Sequence, residues 1–352
     1  MANRPGVASE PAADGRANYD YQSESVENPE LAADLETLVD GDVRFDSYSR
    51  QLYATDGSEY EVLPIGVVKP TSTEDVSNVV EYCFEHEIPV LPRGGATSLA
   101  GQTTNEAIVL DFKPYMNEFL EFDEETQRAK AQPGITLAGL NAELEDDGLH
   151  YAPDPAWGDK SVLGGCIGNN TTGSHSLRYG IADAYTESLE VVLPDGTVTE
   201  LGRMSLEEVH ERADENGDPE ERLYAEIVRI LEEDVEEIRD RFPDLKRNVS
   251  GYNYDVLLED AEENEEVNVA RLYTGSEGTL GVITEAEVSL EPLPTETAVV
   301  MMTYDGPMDA MRDVHPILAH DPSAVEVMDD VFLELAAETE KYRDHVDMLP
   351  EG

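Results

Sequence analysis

VLGGCIGNNTTG, residues 162–173, places glycine at 164, 165, 168 and 173, among two asparagines and two threonines. Glycine gives up more conformational freedom on folding than any other residue, so a run this rich needs a reason. Bare backbone lets N–H groups approach a ligand that side chains would hold off, and a run of such amides favours an anion, a diphosphate above all. LPRGGATSLAGQ at 91–102 and LYTGSEGTLGVITEAEVSL at 272–290, with glycines at 275, 278 and 281, repeat the pattern. One glycine loop alone is as readily a tight turn; three in one chain point to a shared ligand. Neither GxxxxGK[ST] nor a GxGxxG opening a helix after a strand occurs, which disfavours an ordinary nucleoside-triphosphate or nicotinamide site.

The first loop ends the clearest local grammar, PIGVVKPTSTEDVSNVVEYCFEHEIPVLPRGG at 64–95. Ile65 to Val68 reads as a strand, and Ser72 with Asp75 as a helix cap. Val76, Val79, Val80, Cys83 and Phe84 recur at helical period, and IPVLP reads as a second strand. Parallel pairing of the two strands would set PRGGATS at the carboxyl edge of a sheet. Before this unit ELAADLETLV has helical spacing; residues 1–28 are small, polar and aperiodic, and are expected to be disordered or loosely packed. After it come strands at AIVLD and RAKAQPG, a Thr136-capped helix and a PDG hairpin over 187–201. A helix is expected from Pro219 to about Arg241, and an acidic surface loop at 260–268. EPLPT at 291–295 reads as a junction, followed by a strand TAVVMMTYD, a helix from Pro307, and a strand-helix pair SAVEVMDDVFLELA.

Of 352 residues, 78 are acidic and 23 basic, only six of the latter lysine, for a formal charge of −55, while 40% are hydrophobic. Disordered acidic tails lack periodic apolar residues, so this charge belongs to a folded chain with a carboxylate-coated surface. Repulsion on that scale is relieved where salt screens it, which points to a cytoplasm of about molar salt, as in halophilic organisms; compositional drift is the plain alternative. The same charge opposes nucleic acid and anionic lipid, which bind Lys and Arg. Cys83 and Cys166, with no CxxC pair and no histidine cluster, encode neither a disulfide framework nor a metal site. No run of about eighteen apolar residues occurs, so direct membrane insertion is not expected. The expected location is cytoplasmic, with any attachment to the inner membrane face made through a partner.

PRGGATSLAGQ, QPG at 132–134, PDPAWGDKSVLGGCIGNNTTGSHSLRYG at 153–180 and GSEGTLGVITEA at 275–286 resemble, in order, the FAD-binding part of one superfamily. That superfamily is the vanillyl-alcohol oxidase / p-cresol methylhydroxylase (PCMH-type) group, in its D-lactate dehydrogenase, glycolate oxidase and D-2-hydroxyglutarate dehydrogenase branch. RFDSYSRQLYATDGS at 44–58 and GNNTTGSHS resemble the variety fused to an iron–sulfur module, and AVEVMDD at 324–330 resembles the start of the family's substrate-capping domain. The implied fold is α+β. A PCMH-type FAD-binding domain over 29–292 would comprise a small β-α-β subdomain and a larger mixed-sheet subdomain, with the break near 112–125. The start of an α/β ferredoxin-like substrate domain, its closing half missing, would follow over 293–352.

Residue by residue, the resemblance implies that Pro92, Arg93, Gly94, Gly95, Ala96, Thr97 and Ser98 wrap the FAD diphosphate, with Gln102 beside it. Pro133, Gly134, Asp154 and Pro155 would line the ring and ribityl region; Gly164, Gly165, Gly168, Asn169 and Gly173 would form a second cradle. Gly278, Gly281, Val282 and Ile283 would complete the pocket at the adenine or ribityl groups. Members with covalent flavin carry His where this chain has Thr97, so non-covalent FAD is implied. Cys166 reads as a small packed residue, with a flavin-linked role as the alternative.

The implied activity is hydride transfer from C2 of a small 2-hydroxy acid to flavin N5, with electrons passing to an iron–sulfur protein or module, a quinone or a cytochrome. Such a reaction needs a base for the hydroxyl proton and a cation for the carboxylate. The resembled branch carries its histidine base in a GHxGDGN-like stretch, which these residues lack, so the base is unassigned and expected beyond residue 352. His175 is the one candidate here, though a hydrogen-bonded loop histidine is its plainer reading. Arg178 with Tyr179 reads as a loop brace or flavin-side contact rather than a carboxylate clamp. Trp157 reads as packed, with stacking on the ring as the alternative, and His315, His320 and His345 as surface residues. The alternative function is a flavin-binding module without turnover of its own, a truncated or split product needing a second polypeptide.

The charge makes a prediction of its own. Melting followed by circular dichroism should rise by about 10 °C or more between about 0.1 M and about 2 M KCl, as the screening length shortens; a flat or falling midpoint would reject the salt-adapted reading.

Overall fold

A computed structural model describes residues 28–245 and 247–349, so the expectation for 1–28 lies outside the described residues except at Asn28. Helix α1 (Pro29–Leu38) opens on proline and buries Ala32 and Leu35. Strand β1 (Asp42–Arg44) and helix α2 (Ser47–Leu52) lead to β2 (Gly66–Lys69), α3 (Thr73–Glu85), β3 (Val90–Arg93) and β4 (Ile108–Asp111). The expected β-α-β unit is present with one correction: β2 and β3 do not pair. The AIVLD strand β4 lies between them, parallel to both, in a sheet of order β1-β2-β4-β3. Ser72 caps α3 by accepting from the Asp75 N–H. The Asp75 carboxylate does not reach back to Ser72; it accepts from the backbone N–H groups of Asp40, Gly41 and Thr71, and so pins the α1–β1 turn onto α3.

The chain crosses to a second layer between Asp111 and Phe119. There follow β5 (Phe119–Asp123), β6 (Arg128–Ala131), α4 (Leu137–Leu144), β7 (Leu149–His150), α5 (Leu163–Gly168), α6 (Ser176–Tyr179), β8 (Thr186–Val192) and β9 (Val198–Leu201). Beyond these lie β10 (Arg203–Ser205), α7 (Leu206–Arg212), α8 (Pro219–Glu233), α9 (Val235–Arg241), α10 (Tyr254–Asn264), β11 (Glu266–Asn268), α11 (Val269–Tyr273), β12 (Val282–Ser289) and β13 (Glu291–Pro292). The main sheet is antiparallel, of order β5-β6-β12-β8-β9. β8 and β9 form the expected PDG hairpin.

Two further expectations are corrected. The helix over 219–241 breaks at Asp234 into α8 and α9. The acidic stretch 260–268 is no loop but the end of α10 and all of β11: Leu257, Leu258 and Val267 are buried, and their acidic neighbours form the solvated face. Apolar anchors at helical spacing outweigh an acidic exterior.

The layers share a boundary. Val192 of β8 and Val282 of β12 lie in the same buried cluster as Val76, Val79 and Val80 of α3. The Ser77 hydroxyl donates to the Gly196 carbonyl at 2.5 Å, and Thr73 to Glu190 at 2.7 Å. Helix α3 thus covers one sheet and braces the hairpin of the other.

The region after Pro292 differs. Helices α12 (Pro307–Leu318), α13 (Asp330–Glu338) and α14 (Glu340–Val346) bury no residue. The strands expected at 297–305 and 323–329 are not formed. A strand needs a neighbour for its ladder, and Val299 and Val300 stand 93% and 80% exposed.

Beneath the second layer, Arg271 bridges the buried Asp183 (3.0 Å) and Asp260 (3.1 Å). Burial raises the Asp183 pKa, and Arg271 opposes that rise. Arg271→Leu should therefore cost about 3 kcal/mol, read by urea unfolding. The uncompensated carboxylate would bind a proton more tightly folded than unfolded, so the deficit should shrink as pH falls toward the carboxylate range. A deficit below about 1 kcal/mol would show that the triad is replaceable.

Candidate functional site

The three glycine loops meet. Arg93 at the end of β3 turns its side chain away from the first loop. Its guanidinium donates to the carbonyls of Tyr53, Thr55 and Thr103 at 2.7–2.9 Å and lies 5.3 Å from the Tyr53 ring centroid. Tyr53 in turn donates to Asp111. Arg93 therefore braces the 53–55 segment, and what it presents toward the loop is backbone. The next residues run against the second loop: a Cβ on Gly94 would overlap Val162, and one on Gly95 the carbonyl of Lys160. Thr97 Oγ1 meets Ser161 Oγ at 3.1 Å. The N–H groups of Gly95, Ala96, Thr97 and Ser98 donate to nothing among the described residues. Four adjacent unsatisfied amides, with Ala96 held at φ 53°, form an anion nest.

Helix α5 carries the second loop. A Cβ on Gly164 would overlap Pro133, and one on Gly173 the backbone of Asp154, which brings the predicted ring-side residues Pro133, Asp154 and Pro155 to the same place. Gly134 lies deeper, its N–H donating to the Met116 carbonyl at 2.8 Å. Gly165 and Gly168 have no such explanation. A Cβ on Gly165 would meet nothing closer than 3.5 Å, and one on Gly168 nothing closer than 4.0 Å. Glycine inside a helix costs about 1 kcal/mol relative to alanine, so these two have room on a side that the protein leaves open. Bare amides and bare glycines together fit a diphosphate-bearing cofactor such as FAD.

The third loop is stitched on by backbone: Gly275 N–H donates to Ile167 O at 2.9 Å and Glu277 N–H to Gly168 O at 2.8 Å. Gly278, at φ +78°, packs where a Cβ would overlap Pro92. Gln102 sits at the junction; its amide donates to Asn169 (3.3 Å) and Glu277 (3.1 Å), and its carbonyl accepts from Ser98. Gly281 approaches the Val192 carbonyl, and Val282 is buried in the inter-layer core, paired with Val192 of β8. Ile283 packs against the larger core.

Titratable groups gather where α6 follows Gly173. His175 Nδ1 lies 3.2 Å from Asp154 Oδ2, both partly exposed. The nearby His150 has its pKa lowered, by burial first, with His175 adding to the effect and Glu291 and Asp154 opposing it. Cys166 is 2% exposed and burial pushes its thiol up to about 12, which leaves it the packed, unreactive residue expected. Trp157 is not packed as expected: it is 48% exposed, with Lys160 Nζ 5.0 Å from its ring centroid. Among the described residues no three His, Cys, Asp or Glu side chains group as a metal site, and no helix is long and apolar enough to cross a membrane. Sequence reasoning missed Glu277 as a partner of Gln102, and missed the buried pair Asn170 and Asn253, whose amides tie the second loop to Asp183 and to the carbonyls of Arg271 and Thr274. Asn170 lay in the quoted motif; nothing local marked Asn253.

Comparison with known proteins agrees with this geometry. Residues 64–202 match the family model described as FAD binding domain. The chain is 32% identical over 311 residues to D-2-hydroxyglutarate dehydrogenase of Pantoea ananatis, covering 86% of this chain and 30% of that protein. Over 298 residues it is 31% identical to glycolate oxidase subunit GlcD of Bacillus subtilis, with 83% and 52% covered. Among solved structures, alkyldihydroxyacetonephosphate synthase superposes with a TM-score of 0.57 at 20% identity, over 85% of this chain and 48% of that one. This chain thus spans between about a third and about half of these relatives. The α+β, PCMH-type FAD-binding fold implied by the motifs is the fold observed, and the cofactor is FAD.

Gly165→Ala separates the cradle from the fold. The apoprotein should gain about 0.5 kcal/mol from reduced unfolded-state freedom, while FAD affinity, read by quenching of the single tryptophan, should fall about tenfold. Unchanged affinity would show that α5 does not face the cofactor.

Proposed function

We propose that this chain, whose residues 64–202 form an FAD-binding domain, is the flavin-binding part of a D-2-hydroxyacid dehydrogenase of the D-2-hydroxyglutarate, D-lactate or glycolate class. The observation that carries the cofactor half is the nest of four unsatisfied amides at 95–98 facing α5 across the Thr97–Ser161 contact. The substrate half rests on relatives named D-2-hydroxyglutarate dehydrogenase and glycolate oxidase. Bound FAD supplies the hydride acceptor, and the protein supplies orientation and charge. The amides of 95–98 would hold the diphosphate, with Gly165 and Gly168 admitting it at close range. Thr97 is hydrogen-bonded to Ser161 and offers no nucleophile, in keeping with non-covalent flavin.

His175, hydrogen-bonded to Asp154, would be this chain's candidate to move a proton. Asp154 holds Nδ1, which leaves Nε2 as the nitrogen able to accept the hydroxyl proton of a 2-hydroxy acid. Electrons would leave to an iron–sulfur protein or module, a quinone or a cytochrome; one relative is named D-lactate dehydrogenase [cytochrome] 1, mitochondrial, of Saccharomyces cerevisiae. This reading sets the protein in the cytoplasm, reaching the inner membrane face only through such a partner. One observation favours a second reading, in which the chain binds flavin but needs further protein for turnover: Val299, Val300, Val327, Val331, Phe332 and Leu335 are all exposed.

Anaerobic mixing of the holoprotein with D-2-hydroxyglutarate, D-lactate and glycolate tests the proposal. One of them should bleach the yellow flavin band, and His175→Gln should slow bleaching about a hundredfold or more. Bleaching by none of the three from a protein that holds FAD would leave only the second reading. Acid should release the flavin into the supernatant; colour kept by the pellet would mean a covalent bond.

A further inference from the structure

The junction of the three loops carries a charge of the same sign as its ligand. Glu277 N–H binds Gly168 O at 2.8 Å, and Glu277 Oε1 accepts the Gln102 amide at 3.1 Å, while the Gln102 carbonyl accepts from Ser98, the last residue of the amide nest. A carboxylate thus stands one carboxamide away from the amides of 95–98. It also borders the open side of α5, where a Cβ on Gly168 would lie 4.0 Å from Glu277 Cα. Glu277 Oε2 accepts nothing among the described residues. The Glu277 backbone holds φ 53°, between Gly275 and Gly278, both left-handed as well. A third glycine would take that conformation without strain, so what this residue adds is its carboxylate.

The cationic side chains nearest the loops do not offset it. The Arg93 guanidinium is held by three carbonyls, Lys160 Nζ lies 5.0 Å from the Trp157 ring centroid, and Arg271 is taken up by Asp183 and Asp260. Asp56, also near the first loop, already accepts from Ser58 N–H and the Thr103 hydroxyl. A diphosphate seated on the nest therefore meets neutral amides on one side and the free oxygen of Glu277 on another. Distant carboxylates are screened by salt, but charges at contact range are not. Two anions that close repel unless a cation lies between them.

The donor set says which cation. Among the described residues no three His, Cys, Asp or Glu side chains group as a metal site, so the protein alone offers no cage. Mg²⁺ does not need one: it is small, hard and reluctant to shed water, and is commonly held by one or two carboxylates together with a ligand's phosphate oxygens. We propose that FAD binds this chain together with Mg²⁺, held by the free carboxylate oxygen of Glu277 on the protein side and by the diphosphate on the other. This rests on the seating of the diphosphate at 95–98 and deepens it, making the cradle a site for a magnesium–dinucleotide pair.

The test titrates apoprotein with FAD by tryptophan quenching in about 2 M KCl, where the screening length is under about 3 Å, with either about 5 mM MgCl2 or EDTA present. Added screening is then negligible, and a difference reports the ion itself. Mg²⁺ should tighten FAD binding about tenfold or more, and FAD should tighten Mg²⁺ binding by the same factor. Glu277→Gln keeps the side chain's length and an oxygen for Gln102. It should bind FAD in EDTA at least as tightly as wild type and gain less than about twofold from Mg²⁺, with an unchanged melting midpoint. Glu124→Gln, in the exposed turn between β5 and β6, should keep the full gain. The proposal is overturned if wild type binds FAD equally in Mg²⁺ and EDTA, or if Glu277→Gln retains the gain. It is overturned too if Glu277→Gln loses FAD in EDTA, which would make the carboxylate a direct contact of the cofactor. The Gly165→Ala titration judges the seating separately: a cradle that needs Gly165 yet ignores Mg²⁺ defeats the cation alone.

Discussion

Backbone packed directly on backbone is the constraint from which the site follows. At Gly95 and Gly173 neighbouring backbone, and at Gly164 the Pro133 ring, fills the volume a side chain would take. A larger residue at any of these would push neighbouring loops away from each other rather than disturb one alone. The loops come from distant stretches of sequence, so no local preference holds them together. What does is a small polar knot, in which the Gln102 amide reaches Asn169 and Glu277 while Glu277 N–H binds Gly168 O. Each such bond contributes about 1 kcal/mol net, so the assembly relies on their mutual support and on the layers behind them.

Those layers explain why the knot can be small. Helix α3 packs its valines against the first sheet and meets β8 and β12 of the second, so the strands that deliver the first and third loops share one core at Val192 and Val282. The anchoring also bears on electrostatics. A net charge of −55 opposes an anionic cofactor at long range, yet fields from distant carboxylates decay within about 10 Å in modest salt, while the amides of 95–98 act at contact range. Local dipoles decide binding, and the carboxylates of the surface are largely spectators.

The sequence disclosed features whose signal is local. Glycine-rich loops after strands, the Ser72 and Thr136 caps and the PDG hairpin each declare themselves within a few residues, and each formed. Partnership was not local, and there the reading failed. The β4 strand inserted between β2 and β3 is invisible until the sheet order is known. The runs at 297–305 and 323–329 have strand composition but no partner edge. Among the glycines, composition marked all of α5 alike, and only packing separated Gly164, which the protein itself requires, from Gly165 and Gly168, which it does not. Arg93 stands in a binding motif, yet its side chain braces the 53–55 segment and its backbone is what faces the loop.

Exposure of the groups around α6 bears on the second reading. Hydride transfer proceeds best where water is excluded. His175, Arg178 and Trp157 all reach solvent, so the two sheet layers orient these groups without drying them. Val299, Val300, Phe332 and Leu335, in the segment after the second layer, are uncovered as well. The layers therefore supply position and charge, and they leave these groups in contact with water.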